Sequence, residues 1–281
     1  MKKKLIGLLT ITVLLSTLTL TSCSSDSNKG ILADGVLTVC VDVAANPHID
    51  NFPMEFYGSG SDKRTDGGTI KTGFDIDFAK ALAEELGVDV KFVEKTYARD
   101  FDKYDVIISN MSIASGQDKF NMSNPYFDNG LVVVANKKSV PITSLKELSS
   151  NDYVNVSDAA KESFAENLKD SIGADFSGKA WNDSIDEIAL SLKSKEWDGS
   201  ITTLSEAMYA VVQKPDDLVI NGLVHSEPIG IASQLNDNAT TELLNKAIET
   251  LQKNGKMKEI TTKWFGQDLT YGMKTELPVI K

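Results

Sequence analysis

The sequence predicts an α/β protein with mainly parallel sheets. Three observations carry that prediction. Strand-like and helix-like apolar spacings alternate along the chain, two short apolar runs read as strands buried on both faces, and no internal repeat breaks the alternation. At roughly 150 residues per domain, 281 residues allow about two domains.

The first strand comes from Leu37, Val39 and Val41, which recur at period two. Cys40 lies in the same run, where its expected role is that of a small buried hydrophobe. The stretch from Gly58 to Thr72 (GSGSDKRTDGGTIKT) reads as a long polar loop, an elaborated hairpin. Phe78, Leu82 and Leu86 then recur at helical spacing, with Asp75 and Asp77 at the positive front end and Gly87 behind as a stop. Val88, Val90 and Phe92 return to period two. Val106-Ile107-Ile108 and Leu131-Val132-Val133-Val134 are the two doubly buried strands. Helical spacing resumes at Phe164/Leu168/Ile172, at Ile185/Ile188/Ala189/Leu192 and at Leu243/Leu244/Ala247/Ile248/Leu251.

Composition narrows the function. Hydrophobic residues make up 41% and charged residues 25%, as in an ordinary globular protein and unlike a polytopic membrane or low-complexity chain. There are 40 acidic and 29 basic residues, a net charge of −11; without residues 1–22, which hold three lysines and no acid, the balance is 40 against 26 and the charge −14. Such a surface repels phosphate backbones, so nucleic acid is not an expected partner.

The N-terminus reads as a targeting segment. Lys2, Lys3 and Lys4 precede an uncharged run, Leu5 to Leu20, of 16 residues. As a helix it spans about 24 Å, short of the ~30 Å hydrocarbon core, which suits a signal-peptide apolar region better than a span. Leu20-Thr21-Ser22-Cys23 resembles a bacterial lipoprotein signal, which implies cleavage before Cys23 and lipid (palmitate) on its sulfur. An ordinary secretory signal with an incidental cysteine is the alternative. Ser24 to Gly30 is small and polar, a suitable tether. With Cys23 acylated, Cys40 stands alone and no intrachain disulfide forms; the 259 residues from Cys23 onward can bury an adequate core without one.

Enzyme signatures are mostly missing. The chain has no GxSxG, GxxxxGK[ST], GxGxxG or HExxH. His48 and His225 are isolated and read as loop or surface residues. Asp62-x-x-x-Asp66-Gly67 fails as a calcium loop, because Arg64 stands where an oxygen ligand is needed and no Glu closes it. No metal and no cofactor are expected.

Four stretches together carry a family resemblance. They are GVLTVCVD (Gly35 to Asp42) followed by Pro53-Met54-Glu55-Phe56; GFDIDFAKALAEELGVDVKFV (Gly73 to Val93); DVIISNMSIA (Asp105 to Ala114) running on to SNPYF (Ser123 to Phe127); and ALSLKSKEWDG (Ala189 to Gly199) followed by LLNKAIETLQKNGKMKEITTKWFG (Leu243 to Gly266). In this order they resemble bacterial solute-binding protein family 3, the polar amino-acid receptors of ABC importers. The resemblance implies a two-lobed periplasmic-binding-protein-like type II fold with two interlobe crossovers, near Asp128 to Leu131 and Leu223 to Pro228. It divides the chain into a signal peptide (1–22), a tether (23–35), lobe one (36–128 plus 227–269), lobe two (129–226) and a tail (270–281) beyond the family pattern.

The same resemblance implies the ligand-binding residues. Asp42 ends the first strand, Met54 follows it, and Tyr97 matches an aromatic that packs over the ligand. Arg99 lies close to an arginine of acidic-amino-acid receptors. Ser109, Asn110 and Ser112 match a loop that offers hydroxyl and backbone groups. Ala160 and Lys161 match a helix start that binds an anion. Two departures accompany these matches. Where receptors for α-amino acids carry a carboxylate-gripping arginine this chain has Gln117, and where they carry an ammonium-holding aspartate it has Thr203. The loss of both anchors points to a polar or anionic solute without a free α-ammonium, neutralised by Lys161 or Arg99. Asp42 and Glu55 are the alternative, as negative partners that would rescue an amine ligand.

The expected function is a monomeric, lipid-anchored receptor that delivers a small polar solute to the permease and ATPase subunits of an ABC importer. Two other readings stay open. One is a dehydratase-like enzyme on the same fold, with Asp42 and Lys161 as the acid–base pair. The other is a surface sensor or adhesin that no longer serves transport.

Overall fold

The computed structural model describes residues 34–41, 53–57, 71–94, 101–149, 154–156, 185–270 and 277–280. The signal segment, tether residues 23–33 with Cys23, Asp42, His48, loop residues 58–70, Tyr97, Arg99, Ala160, Lys161 and the helical spacing at 164–172 lie outside the described residues.

The chain opens with β1 (Val36–Val41), the short strands β2 (Phe56–Tyr57) and β3 (Lys71–Thr72), α1 (Phe74–Leu86) and β4 (Asp89–Glu94). Pairing of Phe56 with Thr72 and Tyr57 with Lys71 closes the hairpin expected around the polar loop. A β1–α1–β4 unit follows from the alternation of periods two and 3.6: β1 and β4 pair in parallel from Val36↔Asp89 to Val41↔Glu94. Leu37, Val39 and Val41 are fully buried beneath Phe74, Ile76, Phe78 and Leu82 of α1, while Cys40 is buried on the opposite face with Tyr104, Phe120 and Ala232. Gly73 starts α1 with φ 137°, and a Cβ there would lie 2.2 Å from the Met54 carbonyl oxygen, so only glycine fits. Gly87 ends the helix in the left-handed conformation, as expected.

Next come β5 (Val106–Ile107), the single-turn α2 (Ile113–Gly116), β6 (Asn121–Met122), β7 (Phe127–Asp128) and β8 (Leu131–Asn136), then α3 (Leu145–Ser149), β9 (Val154–Val156), α4 (Ile185–Ser194), β10 (Gly199–Thr203), α5 (Leu204–Gln213) and β11 (Leu218–His225). The chain returns through β12 (Pro228–Ile229) and β13 (Ala232–Ser233) to α6 (Asn238–Lys253) and α7 (Lys256–Phe265). The strands make a five-stranded sheet of order β4-β1-β5-β13-β6 and a four-stranded sheet of order β11-β8-β10-β9. Each sheet is the centre of one lobe.

The sheets are mixed, which corrects the expectation of mainly parallel pairing. β1 has parallel neighbours, and β9 runs parallel to β10. However, β8 is antiparallel to both β10 and β11, and β13 is antiparallel to β5 and β6. The cause is the double crossing between lobes. β8 carries the chain into the second sheet and β11 carries it out beside β8, so the two must oppose; β13 then enters the first sheet from the opposite end to β5.

Aromatic side chains hold the first lobe to the crossing. Phe78 stacks on Tyr126 at 4.3 Å, and Phe74, Phe127 and Phe265 meet pairwise at 5.0–5.1 Å, joining α1, β7 and α7. From the other lobe, Tyr209 of α5 reaches Trp264 of α7 at 6.5 Å. Beyond the family pattern, the tail binds β11: the Leu223 N–H donates to the Pro278 carbonyl at 2.9 Å, the Ile280 N–H donates to the Leu223 carbonyl at 2.8 Å, and Ile280 is 1% exposed. Among the described residues no helix is long and apolar enough to cross a membrane.

Candidate functional site

The candidate site is built around the two passages between the sheets. β7 ends at Asp128 and β8 begins at Leu131; β11 ends at His225 and β12 begins at Pro228. β7 and β12 pair antiparallel, Asp128 with Pro228 and Phe127 with Ile229. A Cβ on Gly130 would sit 2.0 Å from the His225 carbonyl oxygen, so the passages touch backbone to backbone at a position that admits no side chain. Asp128 fastens them: its Oδ1 accepts from the Gly130 N–H at 3.1 Å and the Glu227 N–H at 2.8 Å, and its Oδ2 accepts from the Ser226 hydroxyl.

On the lobe-one side the loop after β5 carries Ser109, Asn110 and Ser112. Asn110 has φ 48°, a left-handed conformation that asparagine tolerates better than most residues. Its N–H donates to Asp75 Oδ2 at 2.8 Å, while the Tyr126 hydroxyl donates to Asp75 Oδ1 at 2.8 Å. Asp75 was expected only as an acid at the front of α1, but it is 0% exposed. Burial pushes its carboxyl from 3.8 up to about 7, against the opposing pull of the Tyr126 and Asn110 hydrogen bonds. Ser112 caps α2, accepting from the Ser115 N–H at 3.1 Å, and its hydroxyl donates to Glu227 Oε1 on the return passage.

On the lobe-two side Thr203 ends β10 and caps α5. Its hydroxyl donates to Glu206 Oε2 at 3.0 Å and its N–H reaches the same oxygen at 3.3 Å; the Thr202 hydroxyl also donates to Glu206. The Leu204 N–H donates to the Gly130 carbonyl at 2.8 Å, tying this helix start to the first passage.

The structure thus brings Asn110, Ser112 and Thr203 to one junction. It does not bring Met54 or Ser109 to an open surface. Met54 packs in the core, where its carbonyl accepts from the Asp75 N–H at 2.8 Å, and buried Ser109 donates its hydroxyl to Glu55 Oε1. The apolar side chain draws Met54 inward, and the carboxylate partner does the same for Ser109. Gln117 follows α2 and is exposed. Asp128, Asn129, Glu206 and Glu227 were not anticipated. One signal was legible, the Thr203-x-x-Glu206 spacing of a capping box; the others depend on which strands pair. Glu206 and Glu227 give the junction carboxylates on both lobes' sides, suited to hydrogen-bond donors and positive groups.

Comparison with known proteins bears on this geometry. The model of the bacterial extracellular solute-binding proteins, family 3, matches residues 50–267. The L-cystine-binding protein TcyJ of Escherichia coli (strain K12) is 24% identical over 207 residues, 71% of this chain and 76% of that protein. Among solved structures, an ancestral arginine-binding protein bound to arginine is 31% identical, with a TM-score of 0.56 over 83% of this chain and 99% of that one. The ancestral cationic amino acid solute binding protein AncCDT-1 is 26% identical, with a TM-score of 0.65 over 84% and 97%.

Proposed function

The chain belongs to the bacterial extracellular solute-binding proteins, family 3, and from that premise we propose that it is a receptor rather than an enzyme. In this reading it captures a small polar, amino-acid-like solute by closing its lobes and passes it to the permease and ATPase subunits of an ABC importer. It does so as a monomer without a cofactor. Residues 1–22 are its signal peptide, and Cys23 carries the lipid that holds it on the outer face of the membrane, or in the periplasm of a Gram-negative cell. The observation that carries the reading is the junction: two sheets joined by two short, touching passages form a hinge, with polar groups of both lobes beside it.

The solute in this proposal is polar or anionic and is not a standard free α-amino acid. Gln117 is neutral and exposed, and the Thr203 hydroxyl donates to the Glu206 carboxylate, so neither replaces a charged anchor. A zwitterion would meet an unpaired charge at each end, a defect that costs roughly 2–5 kcal/mol per buried pair. Lys161 and Arg99 are the proposed partners of an anionic group, with Asp42, Tyr97 and Ala160 completing the cleft. A second reading rests on Glu206 and Glu227, whose carboxylates beside the junction favour a cationic solute.

Melting shifts across the standard amino acids, L-cystine and a panel of anionic amino-acid derivatives test both readings. A solute at about 100 times its Kd stabilises by ~2.7 kcal/mol. That is roughly 5–11 °C at ~2–4 °C per kcal/mol. We expect such a shift from a derivative, with a smaller radius of gyration in scattering. The same shift with L-arginine would reject the first reading in favour of the second. Calorimetric binding without compaction would reject lobe closure.

A further inference from the structure

Asn129 lies in the first passage between the lobes and is 4% exposed. Three of its polar groups point in three directions. Its side-chain Nδ2 donates to Asn110 Oδ1 at 2.9 Å, on the lobe-one loop. Its Oδ1 accepts from the Ser205 N–H at 2.9 Å, in the first turn of α5 in lobe two. Its backbone N–H donates to the Glu227 carbonyl at 2.9 Å, on the return passage. The side chain of Asn129 therefore joins both lobes, and its backbone joins the two crossings.

Each bond lands on something already held. Asn110 is fixed from behind by the buried Asp75, to which its N–H donates. The Ser205 N–H is one of the N–H groups at the front of α5 that have no partner within the helix, and Asn129 supplies the acceptor it needs. The neighbouring Leu204 N–H is taken by the Gly130 carbonyl, one residue further along the same passage. A buried amide leaves little room for substitution, because losing either bond strands a buried donor or acceptor.

We infer that Asn129 is a positioning residue that holds the Asn110 loop and the start of α5 in one arrangement, so that a solute contacting either side is felt by the other. The inference deepens the receptor reading and its functional meaning rests on it, but the coupling itself is a property of the ligand-free chain. A solute that pulled on Asn110 would load the Asn129 amide, and through it the Thr203–Ser205 turn.

Hydrogen exchange of the ligand-free full chain, followed by mass spectrometry, tests the coupling without any solute. Asn129→Ala removes both side-chain bonds, so amides of 109–112 and 203–206 should exchange about five- to tenfold faster together while α6 stays unchanged. Asn129→Asp keeps an acceptor for the Ser205 N–H, and the Asn110 amide can turn to donate to it, so protection should return at both segments. Adding Asn110→Asp to that variant sets two carboxylates against each other and should remove protection again. This pair decides the matter even where the alanine variant folds poorly. Faster exchange at one segment only, a uniform rise across the chain, or an Asn129→Asp variant as open as Asn129→Ala would overturn the inference. A failed solute screen with this exchange pattern intact would count against the receptor reading alone.

Discussion

Asp75 shows how a residue can be visible in a sequence and misjudged there. Its place at the front of α1 was legible as an acid near a helix's positive end; its burial was not, because that depends on Tyr126 and Asn110 arriving from 35 to 51 residues away. The consequence is a pH dependence with a definite sign. The carboxyl rises from 3.8 in the exposed chain to about 7 when folded, so between those values the folded state holds a proton that the unfolded state has released. The contribution of Asp75 is complete below about pH 4 and lost as the pH climbs through about 7. The urea stability of the wild type relative to Asp75→Asn should therefore decline from pH 4 to pH 8. A difference that stays flat over that range would show that burial does not govern this carboxyl. Ser109 and Met54 are likewise placed by distant partners, Ser109 by Glu55 and Met54 by the core around it.

At the scale of elements, spacing and caps made β1, α1, β4, α4 and α6 legible, and an unbroken apolar run did the same for the doubly buried β8. α5 escaped notice. Its first turn is marked by the Thr203–Glu206 box, but Leu204, Ala207, Met208 and Ala210 are buried on a broad face that no single stripe announces. The tail is another element that only pairing reveals. Leu277 to Ile280 carries no strand pattern of its own, yet it lies along β11 and sends Ile280 among Leu131, Val133, Ile142 and Ile201. Ile280→Ala should cost about 2–5 kcal/mol in urea denaturation through the cavity left in that cluster. A loss below about 0.5 kcal/mol would mean that the tail does not contribute to the core of the second lobe.

At the scale of the whole molecule, the receptor reading places the chain at a membrane surface. Cys23→Ala should release the protein or leave it unprocessed at higher mass, seen by fractionation and blotting; a mutant of normal size retained after high-salt washing would reject the anchor. One acyl chain binds only marginally, so firm retention of the wild type would mean more than one chain. The sequence by itself determined the α/β class, the doubly buried strands and the family, because these follow from local period, composition and short motifs that survive without any partner. Tertiary structure alone decided the mixed direction of the sheets, the inward turn of Met54 and Ser109, the docking of the tail, and the meeting of Asn110, Asn129 and Ser205. Those features depend on which distant segments lie side by side after the chain has crossed twice between lobes, and no spacing along one strand or helix encodes the position of its neighbour.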